Sequence, residues 1–260
     1  MNWALRRQLF YIGILLAFFI ILGTLVIYPR LHRAPSCVDG KQNGTELGID
    51  CGGSCTNACQ EQVEDVSILW ARSFRVVPGR YNAVAYLTNH NRNAVADKIS
   101  YRFRFADKNN LYIGKREGTT YIPRAGNFAI FEPAVDMGGS LPVYTTFEFT
   151  SVPQWIQAGQ EKLDQLKVLV SDINFENPAT APHLSATITN SSLLTVPNVN
   201  VIAILYDESH NAVNASSTFL DELAGEQVEK VDFTWPEPIT ANVVAKEIIP
   251  IYNVSNVKWR

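Results

Sequence analysis

The chain has 260 residues, 47% of them hydrophobic, and its 22 Lys and Arg stand against 25 Asp and Glu for a net charge of -3. That length suits one large domain or two small ones. The bases are scattered among acids without a basic run, which excludes the phosphate-neutralising patch of a nucleic-acid binder, so no nucleic-acid partner is expected.

The first element is LFYIGILLAFFIILGTLVIY, Leu9 to Tyr28, which carries no charge. A helix of about 20 residues spans roughly 30 Å, the hydrocarbon thickness of a bilayer. Tyr11 and Tyr28 stand near its ends, where amphipathic rings favour the interface. A cleaved signal peptide is the rival, but its apolar core runs to about 15 residues at most, and no small-x-small cleavage site precedes Pro29. The sequence therefore predicts a single-pass anchor over residues 9–28 behind a cytoplasmic N-terminus of residues 1–8. Arg6 and Arg7 before the span are matched by Arg30, His32 and Arg33 after it, so flanking charge leaves the orientation tied.

The cysteines arbitrate. All four, Cys37, Cys51, Cys55 and Cys59, fall in a short segment after the span, within residues 29–62. An even number of cysteines so clustered favours an oxidising compartment and two disulfides. Residues 30–260 are accordingly placed outside the cytoplasm. Three connectivities are open, and the sequence leans to Cys37 with Cys51 or Cys55. With little apolar core in this segment, crosslinks must supply the order that burial cannot.

The same segment offers oxygen ligands. Counted from Asp39, a calcium loop would place Asn43, Gly44 and Asp50 at suitable positions, but Lys41 stands where an acid is needed and no helix flanks the loop, so the helix-loop-helix calcium hand is excluded. Asp39, Asn43, Glu46 and Asp50 still provide hard oxygens, and calcium is the cofactor they would hold. The alternative reading gives these side chains to Asx-type turns within a crosslinked loop. Zinc fits less well, because the C-x13-C-x3-C-x3-C spacing lacks the paired short spacings of structural sites. Redox chemistry lacks a C-x-x-C. The stretch resembles a short element, C-x-DG-x-x-NG-x-E-x-G-x-DCGG-x-C, of exported bacterial proteins, carried here from Cys37 to Cys55. That resemblance implies export and surface display, and no catalytic role.

From about Val63 the pattern turns to short alternating runs, the signature of strands with one buried face. The clearest are Tyr81–Thr88, Ile99–Phe105, Leu184–Thr189 and Val231–Trp235. In ISYRFRF, Ile99, Tyr101, Phe103 and Phe105 point one way and Ser100, Arg102 and Arg104 the other. The turn signals DKNN, PRAGN, DESHN and LAGE separate the runs. Only Gln157 to Leu166 suggests a turn or two of helix. The strands also repeat: Asn89 pairs with Asn190, Asp107 with Asp207 and Gly126 with Gly225, at offsets of 101, 100 and 99.

These spacings predict a mainly β chain with two tandem sandwiches of immunoglobulin type, residues 63–150 and 165–260, joined by a linker at 151–164. Trp155 in that linker is expected to cap a core or to pack between domains. The strand and turn order resembles the immunoglobulin-like domains of bacterial surface proteins, including the cell-adhesion-related bacterial type. No cysteine lies in either copy, so the antibody-type Cys-Trp-Cys core is excluded.

The histidines, His32, His90, His183 and His210, fall in predicted loops or beside the membrane. Asp207, Ser209 and His210 share one turn, too close in sequence for base–nucleophile geometry. With no G-x-S-x-G, H-E-x-x-H or phosphate-cradling glycine loop, the sequence predicts that the chain is not an enzyme. The expected role is surface structure, adhesion or docking to a protein or cell-surface partner, with an accessory subunit of an envelope transport, secretion or enzyme complex as the alternative.

Overall fold

The computed structural model describes residues 3–31 and 34–258. His32 and Arg33, which entered the count of flanking charge, lie outside the described residues, as do the first two residues of the expected N-terminal tail and the last two of the second expected sandwich. The chain divides into two compact units, Met1–Gly53 and Ser54–Arg260.

In the first unit, helix α1 (Trp3–Leu31) extends the predicted span at both ends. Its apolar stretch, Leu5–Pro29, is 25 residues long and none of it is buried within the chain. At 1.5 Å per residue that stretch is about 38 Å long, more than enough to cross a bilayer. Pro29 stands in the last turn, where its missing N–H removes the bond to Leu25 O and weakens the helix close to its end.

The second unit is antiparallel β. In chain order it has β1 (Ser67–Val77), β2 (Arg80–Asn89), β3 (Ala94–Ala106), β4 (Tyr112–Ile122), β5 (Gly126–Asp136), β6 (Tyr144–Phe149), β7 (Trp155–Gln157), the short helix α2 (Gln160–Gln165), β8 (Val168–Glu176), β9 (His183–Asn190), β10 (Val196–Tyr206), β11 (Ala212–Leu223), β12 (Val228–Thr234) and β13 (Ala245–Ile251). Sheets β1-β2-β5 and β4-β3-β6 make one sandwich, with β7 also paired to β3. Sheets β12-β9-β8 and β11-β10-β13 make the other, so β8–β13 repeat the pairing of β1–β6. All four predicted runs fall on strands, and Ile99, Tyr101, Phe103 and Phe105 are buried as the alternation requires.

Two pairs of repeated residues do the same work in both copies. Asn89 Nδ2 donates to the carbonyls of Ala94 and Pro123, while its Oδ1 accepts from Asn91. Asn190 Nδ2 donates to the carbonyls of Leu194, Leu223 and Ala224, and its Oδ1 accepts from Ser192. Each amide satisfies buried carbonyls where the chain leaves one sheet for the other, groups that burial would otherwise strand. Asp107 and Asp207 each accept two backbone N–H groups across their hairpin turns. The glycine correspondence, by contrast, is corrected. Register sets Gly126 opposite Asn89, while Gln227, not Gly225, hydrogen-bonds opposite Asn190. Gly126 has φ +130, whereas Gly225 is needed for space: a Cβ there would lie 2.7 Å from the Leu193 backbone.

Residues 151–164 contain defined structure. Trp155 is buried in the core of the first sandwich and Leu163 in that of the second. On its other side β7 takes up the end of the cysteine-rich segment, with Ala58 N–H donating to Trp155 O at 3.0 Å and Gln157 N–H to Thr56 O at 2.7 Å. Asn57 thus forms an isolated antiparallel bridge to Ile156, on the side of β7 away from β3. Inside the first sandwich, buried Glu132 accepts from Tyr101 Oη at 2.5 Å and from Arg116 Nε at 2.8 Å. This polar tie joins the two sheets, from β5 to β3 and β4.

Candidate functional site

The described part of the cysteine-rich loop brings the predicted oxygen residues together. Asp50 Oδ1 accepts from Asp39 N–H at 2.9 Å, and both its oxygens accept from Gly40 N–H. Asp39 accepts from Lys41 N–H and Asn43 Nδ2, and Glu46 Oε2 accepts from Asn43 N–H. The carboxylates therefore cap backbone N–H groups inside the loop, the Asx-turn use of these residues. Gly53 at φ +60 makes the closest approach, since a Cβ there would lie 1.8 Å from Thr45 O. Cys37, Cys51, Cys55 and Cys59 are all disulfide-bonded, and no described cysteine is free. The thiolates that zinc or thiol redox chemistry requires are thereby consumed.

The second unit has its own concave surface, and the way its sandwiches meet creates it. The outer face of sheet β1-β2-β5 lies against the outer face of β11-β10-β13. Ile202, Ile204, Ile249 and Ile251 join one apolar cluster with residues of the first sandwich such as Val84, Tyr86 and Ala129. β2 and β10 are consequently covered on both faces: Ala83–Leu87 and Val201–Leu205 are buried without a break. Polar contacts frame the apolar area. Arg72 donates to Ala212 O and Asn211 Oδ1, Asn82 Nδ2 to Ala215 O, and Arg75 pairs with Glu237. Tyr86 and Tyr206 each donate to one oxygen of Glu247, both at 2.7 Å. Trp70 stacks on Tyr86 at 5.4 Å between centroids.

Burial, then donation to the Glu247 carboxylate, raises both tyrosine hydroxyls well above their usual value near 10. The clamp therefore stabilises the fold fully below pH 10, the unfolded value, and loses its contribution as pH climbs from there toward the raised folded values. Urea midpoints of the wild type are expected to fall between pH 9.5 and 11. The double variant Tyr86→Phe/Tyr206→Phe should be less stable at pH 8 and show a shallower alkaline decline. An equal decline in both proteins would show that the clamp does not titrate in this way.

Beside this interface a cleft of about 640 Å³ opens. Three strands that form edges of their sheets, β5, β8 and β13, contribute to its walls, together with Arg124, Lys167 and Tyr252. A neighbouring pocket of about 530 Å³ shares Arg124 and Ala125 and adds Arg92. Arg124 Nη1 is held by Leu163 O at 3.1 Å, and the nearby guanidinium partly offsets the rise that burial imposes on the Tyr252 hydroxyl. In the first sandwich β1 runs beside β6. Sequence reasoning missed these residues: they come from three distant segments with no common spacing. The double burial did leave a signal, in the unbroken apolar runs AVAYL and VIAIL.

No protein-family model matches the chain, and a search of the curated proteins finds no match. Among solved structures it is similar to red sea bream transglutaminase, at 10% identity and a TM-score of 0.23, over 74% of this chain and 31% of that one. The chain thus spans about a third of that protein's length. The expectation that the chain is not an enzyme is withdrawn, since this neighbour is an enzyme; a likeness so distant carries nothing about which activity, if any, the chain has.

Proposed function

We propose that α1 anchors the chain in a membrane, that residues 30–260 stand outside the cytoplasm, and that the two sandwiches, of immunoglobulin type, act as one docking module for a protein partner. On this reading residues 63–150 and 165–260 are the sandwich domains. The observation that carries it is the fused pair of inner sheets: a face that buried makes a single platform of two sandwiches and leaves their open edges around one cleft. Disulfides support the oxidising side of a membrane, and sandwich edges are surfaces that partners use by strand addition.

A second reading, an accessory subunit of an envelope complex, differs in where the partner resides. Crosslinking of the full chain in its own membrane, followed by identification of the adducts, separates them. Adducts to proteins of the same envelope support the subunit role, and binding to other cells without such adducts supports adhesion. Absence of both, or labelling of residues 34–258 from the cytoplasmic side, would overturn the reading as a whole.

A further inference from the structure

We infer that the cleft beside the two sandwiches receives an extended acidic segment of a partner protein, lying along the open edge of β8. The inference deepens the docking reading above and rests on it. Three observations meet there. First, β8 pairs with β9 on one side only, and the cleft lies along its beginning, at Val168 and Leu169. An unpaired strand edge presents backbone donors and acceptors to any extended chain. β13 forms the opposite wall, but Pro250 deprives it of one N–H, so β8 is the better template.

Second, the charge is one-sided. Although the whole chain is acidic at -3, the cleft and its neighbouring pocket are lined by Arg92, Arg124 and Lys167 against Asp164 alone. Acidic side chains on an extended segment would alternate toward these cations at the period of a strand. Third, the cleft is continuous with the interface between the sandwiches, since Ile249 and Ile251 serve both. Apolar residues of the same segment would therefore meet a surface that is already fixed by packing. On a smaller scale the molecule itself bridges another strand edge, where Thr56 and Ala58 exchange backbone hydrogen bonds with Gln157 and Trp155 of β7.

The test uses the full chain in its own membrane, with a photo-crosslinking amino acid at Leu169 or Ala125 in the cleft and, as control, at exposed Phe219 on β11. Adducts should form at the cleft positions, and peptide mapping should place them in a segment rich in Asp and Glu from another protein. Lys167→Glu, an exposed change whose backbone bond to Ser191 is retained, should reduce those adducts at least tenfold. Arg124→Glu should do the same; Lys167→Glu guards against a folding defect from the lost Leu163 bond. Adducts to a second copy of this chain, to a segment that is not acidic, or unchanged by charge reversal would overturn the inference. Adducts at Phe219 alone would overturn it while leaving the docking reading intact, and adducts at none of the three sites would count against both.

Discussion

Ile202→Ala is expected to lower the stability of both sandwiches by about 2–5 kcal/mol, the range for removing a large aliphatic group from a closed core. Ile202 is fully buried, yet it points away from its own sandwich core and into the cluster shared with the first. The matching change at Ile173, which is 40% exposed on β8, should stay within about 0.5 kcal/mol. Chemical denaturation of the full chain in detergent reads the difference. Because the face is shared, the wild type should unfold in one transition, and Ile202→Asp, which places a charge where no water reaches, should split it into two or prevent folding. Equal costs at Ile202 and Ile173 would mean that the two inner sheets do not hold each other.

Asn190→Asp comes next in size, although it changes a single NH2 to oxygen. Asn190 is fully buried, and its Nδ2 donates to three carbonyls at 2.7–3.0 Å. In the variant an acceptor faces three acceptors, and a carboxylate without a counter-charge sits in the core. A cost above about 3 kcal/mol follows. Lowering the pH should shrink the deficit, since burial and repulsion raise the acid's pKa and a proton removes the charge. The control Asn109→Asp, at an exposed turn, should be nearly neutral. A small, pH-independent cost at Asn190 would show that the amide is not a required tie.

The repeat was legible because its residues answer local demands. Asn89 and Asn190 must donate to buried carbonyls, and Asp107 and Asp207 must cap hairpins, so both copies retain them at one spacing. The alternation in ISYRFRF was legible for a similar reason, with one face dry and one wet. The glycines misled, since one is set by backbone angle and the other by a close approach, at places that do not correspond in the register. The clamp of Tyr86, Tyr206 and Glu247 was beyond reach of periodicity, because it depends on which outer face meets which. The cleft has the same difficulty in stronger form: Arg124 and Lys167 are ordinary surface residues until the fold sets them along one opening. In the cysteine-rich loop the residues were found together, while what their oxygens touch was left to the structure.

The doubly covered strand β2 also sets a timetable for biosynthesis. The first sandwich has all its strands once Gln157 has been made, but the sheet that covers its outer face is complete only when its last strand, β13, ends at Ile251. At ribosomal rates of about 5–20 residues per second, the remaining 94 residues (251 − 157) take roughly 5–20 s. During that interval Val84, Tyr86 and Ala129 form a bare apolar face on an otherwise finished sandwich. The nascent chain is therefore most vulnerable to aggregation midway through its synthesis, and a fragment that stops after the first sandwich never leaves that state.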